Sequence, residues 1–261
     1  MPVGVEISVS EGVQTIRFAR PEKKNALTPP MYAAITEALM RGDASPDVVA
    51  HLFIGSGGVF TAGNDINDFV ERARTGATLE GPVLDFLRAL VRVQKPMIAA
   101  VDGLGVGIGT TLLFHCDLAY ATPESKFIAP FVDLGAVPEA GSTLLAPQRM
   151  GYARAFELLV LGEPFTAERA KEAGLINAIV SADELEATAR NAAARLAAKP
   201  PEALALSRRL LRGDTSALAQ RIEEEARIFG ERLSSPEAQE AFAAFLEKRP
   251  PDFVKLKRTG S

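Results

Sequence analysis

The sequence predicts an α/β fold, with a mixed strand and helix core over residues 1–190 and a region of helices alone over residues 191–261. Three observations carry this. Short apolar runs bounded by Gly, Pro or charged residues alternate with segments of helical spacing over the first part of the chain. Beyond about residue 190 the spacing is helical only, which is the pattern of an α/β core followed by a helical layer. Two of the apolar runs also lead directly into glycine-rich loops, residues 55–65 and 102–113. With 261 residues, 47% of them hydrophobic, the chain can bury a substantial core.

The elements follow in order. Residues 5–9 and 13–18 read as a hairpin around Glu11-Gly12. The polar segment 20–27 leads to Thr28-Pro29-Pro30, where Thr28 is placed to cap a helix over residues 29–41. Residues 49–55 form an apolar strand, whose His51 is expected on the strand face. After the first glycine-rich loop, Asp65 and Asp68 open a periodic segment at 66–73 as acids at a helix start, and 75–82 reads as a mobile loop. Leu84, Leu87, Leu90 and Val91 give helical spacing over 84–93, and 97–101 is a buried strand. Short strands are expected at 118–121, 126–128 and 176–180. Helices are expected after the loop 129–142 and at 153–161, 167–173 (capped by Thr166), 182–198, 201–211, 216–233 and 236–246. Residues 252–258 read as a basic tail.

Bulk properties bound the function. A net charge of −4 gives no electrostatic support for a nucleic-acid partner. The lone cysteine, Cys116, excludes an intrachain disulfide and fits a reducing compartment. No basic segment followed by an apolar h-region opens the chain, no uncharged apolar run approaches ~18 residues, and Thr259-Gly260-Ser261 is not a peroxisomal signal. A soluble cytoplasmic protein is therefore expected.

The chemistry points to the stretch 102–113. Gly103, Gly105, Gly107 and Gly109 follow the strand at 97–101 and precede an apolar segment. Glycine permits positive φ and close approach to the backbone, and free N–H groups at a helix start attract negative charge. The dinucleotide fingerprint fails, since Ile108 or Thr110 stands where its third glycine belongs, and no Walker lysine is present. The stretch is a backbone anion or oxyanion site, or else a tight turn that lets a helix pack closely. His115-Cys116-Asp117 reads as a structural turn, because such close neighbours rarely converge on one reacting atom. Glu139, just after Pro138, reads from its position alone as an acid in the first turn of a helix.

Taken together, several ordered blocks resemble the crotonase (enoyl-CoA hydratase/isomerase) superfamily over nearly the whole length. They are Arg20-Pro21 with Asn25-Ala26-Leu27, Phe60-Thr61-Ala62-Gly63-Asn64-Asp65-Ile66, the run from Lys95 to Gly103, and Cys116-Asp117. The match continues through Phe127, Gly135, Pro138, Gly141 and Thr143 to Leu161-Gly162-Glu163-Pro164-Phe165-Thr166-Ala167 and Ala173-Gly174-Leu175. The resemblance implies a crotonase-like spiral of ββα units with C-terminal helices that serve trimer assembly. It implies acyl-CoA thioester substrates, with the thioester oxygen held by the backbone N–H groups of Asn64 and Ile108. It also implies CoA contacts at Lys23, Lys24, Ala26, Ala62, Asp65 and Ile66. Ile108 departs from the frequent glycine of the family, which a backbone donor tolerates.

The resemblance also ranks the reactions. Hydratases of the family use two glutamates, where this chain has Thr111 and Phe131; neither titrates near neutrality. Glu139 stands instead where Δ3,Δ2-enoyl-CoA isomerases carry a single glutamate base, and 60–69 and 130–142 resemble that group, its peroxisomal branch in particular. The implied reaction moves the double bond of a 3-enoyl-CoA to the 2-position, with Glu139 as proton shuttle and Phe131 and Thr111 beside the acyl group. It uses no metal and no cofactor other than the CoA of the substrate. An enoyl-CoA hydratase or another crotonase-type activity is the alternative within the family. A non-catalytic CoA- or RNA-binding module is the alternative outside it. A homotrimer or a dimer of trimers is expected. Ile222, Ala226, Phe229 and Leu233 form an apolar stripe that must pack on the core or on a neighbouring copy.

Overall fold

The chain begins with two antiparallel strands, β1 (Val5–Ser10) and β2 (Val13–Phe18), joined through Glu11 and Gly12, which both take positive φ as a tight hairpin turn requires. The computed structural model describes residues 4–65, 67–68 and 80–253. The expected CoA contact Ile66, most of the helix expected at 66–73, most of the loop at 75–82 and most of the tail at 252–258 lie outside them.

Strand β2 continues into a parallel sheet with β3 (Ala50–Ile54), β4 (Met97–Val101), β6 (Leu118–Ala121) and β9 (Ala178–Ile179), in the order β1-β2-β3-β4-β6-β9. Every residue of β3 and β4 is buried, as expected for parallel strands covered on both faces. Alternation sorts their side chains: Phe53, Met97, Ala99 and Val101 join the main core, whereas Leu52, Ile54, Ile98 and Ala100 meet the opposite layer. That second layer is the helix Ala182–Ala197, which crosses position 190 and packs Leu185, Ala189, Ala192 and Ala193 on the sheet.

A three-stranded sheet sits beside the first: β5 (Leu104–Val106), β7 (Lys126–Ile128) and β8 (Phe165–Thr166). Sequence periodicity missed β5, because alternate glycines carry no side-chain pattern. The segment after it is also shorter than a regular helix. Ile108–Thr111 makes one α-turn and Leu112–Phe114 tightens to a 3-10 turn. The helix α1 (Pro29–Ala44) starts after Thr28, but the Thr28 side chain makes no cap bond; Thr166, by contrast, accepts from Arg169 N at 3.3 Å.

Among the described residues, four named helices follow β9: Ala182–Ala197, Pro201–Arg212, α9 (Ser216–Leu233) and α10 (Pro236–Glu247). The stripe Ile222, Ala226, Phe229 and Leu233 is buried within the chain itself, against the helix Pro82–Arg92 and the segment around Ser142–Met150. It therefore gives no argument for a partner. The large apolar side chains that remain exposed are elsewhere, among them Tyr152, Leu161, Leu210 and Leu211. No helix among the described residues is long and apolar enough to cross a membrane.

Candidate functional site

The two glycine-rich loops are stitched together before any side chain acts. Thr61 N donates to Leu104 O at 2.9 Å and Val106 N donates back to Thr61 O at 3.0 Å, a parallel bridge between Thr61 and Gly105. Gly63, at φ +86°, packs so close that an added Cβ would lie 2.8 Å from Val106 O. Asn64 is bracketed by Leu27, which donates to Gly63 O at 2.8 Å and accepts from Asp65 N at 2.9 Å. Its own N–H is left without an acceptor among the described residues. The N–H of Ile108 is in the same state, while Gly107 before it donates to Ile128 O at 2.8 Å. One braced unit thus carries two unused backbone donors among the described residues, at Asn64 and Ile108, the positions that the family resemblance implied. The donors are single N–H groups, for the turn Ile108–Thr111 is too short to sum a helix dipole.

These loops border a cavity of about 690 Å³. Lys23, Ala26, Ala62, Asn64 and Asp65 lie on its wall, with Val106, Gly107 and Phe131. The C-terminal helices supply the opposing apolar surface through Phe229, Leu233, Phe242 and Phe245. Lys24, Ile108, Thr111 and Glu139 are not wall residues. The Lys24 carbonyl instead accepts from Ala62 N at 2.9 Å, and Asp65 is ion-paired with Arg20 at 2.7 Å. Partial burial works to raise the Asp65 pKa, but the Arg20 guanidinium holds it below the usual range.

Glu139 is one hydrogen-bonded step behind the wall. It is 3% exposed, and Thr111 Oγ1 donates to its Oε1 at 2.6 Å while lying 3.3 Å from the carbonyl of Gly107, a wall residue. Burial pushes the Glu139 pKa up to about 8; the Thr111 hydroxyl opposes that and nearby Glu225 adds to it. The reading of Glu139 as a first-turn helix acid does not hold, since the helix begins at Ser142 with Gly141 before it. Thr111 likewise serves Glu139 rather than the cavity surface.

Three further residues bear on this site. Tyr32, fully buried on α1, donates to Asn64 Oδ1 at 2.6 Å. Burial, then the charges of Glu139 and Asp68, raise its pKa well above the ordinary value, so the phenol stays protonated. Glu225 on α9 accepts from Gly141 N, Thr143 N and Thr143 Oγ1. His115 Nε2 lies 2.6 Å from Ala140 O, and burial lowers its pKa to about 4, which keeps the ring neutral. The turn His115-Cys116-Asp117 is structural, as its spacing suggested. Asp117 pairs with Arg208 at 2.9 Å and accepts from Met97 N at 2.8 Å, and buried Cys116 has its pKa pushed up to about 12. His51 is buried on β3 at 2.8 Å from Gln14 Oε1. No group of three or more His, Cys, Asp or Glu among the described residues is arranged to hold a metal ion.

A sequence model described as enoyl-CoA hydratase/isomerase matches residues 8–256. The chain belongs to this family. It is 32% identical over 255 residues to enoyl-CoA delta isomerase 2 of Rattus norvegicus, covering 95% of this chain and 64% of that protein. It is 34% identical over 243 residues to a probable enoyl-CoA hydratase of Mycobacterium leprae, covering 93% and 94%. Among solved structures, Pseudomonas aeruginosa OdaA superposes with a TM-score of 0.89 at 43% identity, covering 94% of this chain and 99% of that one. The α/β fold is thus the crotonase fold of the enoyl-CoA hydratase/isomerase family. Relatives of similar identity carry both isomerase and hydratase names, so the choice between activities rests on the side chains of this site.

Sequence reasoning missed Tyr32 and Glu225 for different reasons. Tyr32 sits on an apolar stripe with Met31, Ile35 and Leu39 and reads as core. Glu225 had a usable signal: a charged residue at helical spacing inside the stripe Ile222, Ala226, Phe229.

Proposed function

We propose that the protein is a Δ3,Δ2-enoyl-CoA isomerase with Glu139 as its single proton shuttle. The observation that carries this reading is the state of Glu139, a carboxyl 3% exposed with its pKa raised to about 8 and a hydroxyl donor fixed on it. Such a group is a base matched to neutral pH. The ionised carboxylate takes the C2 proton of a 3-enoyl thioester. The electron pair spreads into a dienolate with its charge largely on the thioester oxygen, where the N–H groups of Asn64 and Ile108 are the donors. Each such donor is typically worth about 3–4 kcal/mol. The protonated carboxyl then returns the proton at C4, and the 2-enoyl thioester leaves with no change in oxidation state. Atoms and electrons balance without a redox partner.

The reading extends to CoA along Lys23, Lys24, Ala26, Ala62, Asp65 and Ile66, with the acyl chain toward Phe131. It places the enzyme in the cytoplasm as a homotrimer or dimer of trimers with the C-terminal helical region in the assembly. Exposed Tyr152, Phe156 and Leu161 near one another in sequence support a buried contact between copies. A hydratase would need a second titrating group to activate water, and Thr111 and Phe131 occupy the relevant positions. The test offers purified protein 3-hexenoyl-CoA and 2-hexenoyl-CoA side by side. Conversion of the first without hydration of the second is expected. Hydration of the second would overturn the assignment, and no turnover of either would favour a binding module.

A further inference from the structure

The carboxyl of Glu139 is followed by a backbone turn that L-residues avoid. Ala140 has φ +63° and Gly141 has φ +67°, two successive left-handed residues, and Ala140 is fully buried. For a residue with a side chain this conformation is strained and persists only where its surroundings over-determine it. The surroundings are specific. On one side His115 Nε2 meets the Ala140 carbonyl at 2.6 Å, and the neutral ring acts there as an N–H donor. On the other side Glu225 accepts from Gly141 N at 2.6 Å, Thr143 N at 3.0 Å and Thr143 Oγ1 at 2.5 Å. Thr143 Oγ1 also accepts from Arg221 at 3.1 Å. Glu225 is itself 4% exposed, so its carboxylate has given up water for these donors. Donors to an ionised oxygen are stronger than neutral pairs.

We propose that Glu225, carried by α9, is a positioning residue for Glu139: together with His115 it clamps the left-handed Ala140-Gly141 turn that aims the carboxyl at Thr111. The inference rests on the reading of Glu139 as the base. Without Glu225, Gly141 N and Thr143 N lose their acceptor, and Ala140 can relax to negative φ. Because Ala140 directly follows Glu139, that relaxation swings the carboxyl away from Thr111 and from the donors on the bridged loops. The hydrogen-bond partners of Glu225, Gly141 and Thr143, do not line the cavity, so substrate affinity is left to wall residues such as Lys23, Asn64 and Phe131.

The experiment is Glu225→Gln, which keeps size but sets an NH₂ donor against N–H and O–H donors. With 3-hexenoyl-CoA, kcat is expected to fall about ten- to hundred-fold, a typical cost of misplacing a reacting group, while KM and CoA affinity stay within about two-fold. The decisive arm adds Ala140→Gly, since glycine takes positive φ without strain. Ala140→Gly alone should change kcat little, and in the Glu225→Gln background it should restore most of the lost kcat. A merely structural role would lower thermal stability without a selective kcat loss, and glycine would not rescue it. Wild-type kcat in Glu225→Gln, or a loss that Ala140→Gly leaves untouched, overturns the clamp. If Glu225→Gln does not fold, Thr143→Val removes one donor of the three and should give the same split more weakly; an unchanged kcat there overturns the proposal. Glu139→Gln is run alongside: if it retains turnover, the assignment of the base fails and not the clamp.

Discussion

Replacing Glu139 with Gln should cost activity and raise stability at once. Both effects come from burial. The unfolded carboxyl titrates at 4.5, and burial in the native state moves it to about 8. Between those values the folded protein holds a proton that the unfolded chain has released. This group therefore leaves stability undiminished below pH 4.5, and lowers it progressively as pH rises toward 8. Linkage gives a destabilisation of about 1 kcal/mol at pH 5, about 3 kcal/mol at pH 7 and about 5 kcal/mol at pH 9. Glutamine is neutral throughout and still accepts from Thr111. Glu139→Gln should then be more stable than wild type by about 3 kcal/mol at pH 7, or about 6–12 °C in Tm for a chain of this size. Turnover of 3-hexenoyl-CoA should fall by about 10²–10⁴-fold. The assay pairs thermal unfolding of both proteins at several pH values between 5 and 9 with steady-state kinetics. Parallel stability profiles, with no gap opening as pH rises, would refute the claim that a buried, neutralised carboxyl sits at this position. Undiminished turnover would refute its catalytic role.

Thr111→Val removes the donor that lowers the Glu139 pKa, so the rising limb of the kcat/KM profile should move above pH 8 while activity survives at its plateau; loss at every pH would defeat a one-carboxylate mechanism. Tyr32→Phe deletes the 2.6 Å bond to Asn64 and should lower stability by about 1 kcal/mol in urea titrations, with CoA affinity unchanged. Lys23→Ala should weaken CoA binding and flatten its salt dependence more than Lys24→Ala, since only Lys23 lies on the cavity wall; calorimetry at two salt concentrations compares them. Light scattering at micromolar concentration should give a trimer or hexamer mass, and a monomer would remove the assembly proposed above.

How much of this was legible in the sequence depends on what each residue's neighbours are. The strand Met97–Val101 was readable to the residue, because burial on both faces writes an unbroken apolar run. Leu104–Val106 was not, because its central Gly105 serves the bridge to Thr61 and carries no side chain to alternate with its neighbours. The stripe on α9 announced a buried face but could not say what buries it; the answer is the chain's own core. Asn64, Ile108 and Glu139 were reached through resemblance rather than physics, since an unused N–H leaves no trace in composition. The pKa of Glu139 was legible only as a direction, because it depends on Thr111, Glu225 and the packing around them, which lie 28 and more positions away. Glu225 shows a milder limit: its place inside the apolar stripe marks it as buried, but not that Gly141 and Thr143 are what it accepts from.

The α9 helix has a consequence for the order in which the protein becomes an enzyme. It carries Glu225, and with α10 it brings Phe229, Leu233 and Phe242 to the cavity wall. Chains emerge from the ribosome N-terminus first, and domains generally fold as units. The sheet, both glycine-rich loops and Glu139 are all synthesised before residue 216. Until α9 is made, the left-handed turn beside Glu139 lacks its acceptor, the main core lacks Ile222, Ala226, Phe229 and Leu233, and the cavity lacks one wall. The acceptor for that turn, the cavity wall and part of the main core are therefore completed together, when α9 docks.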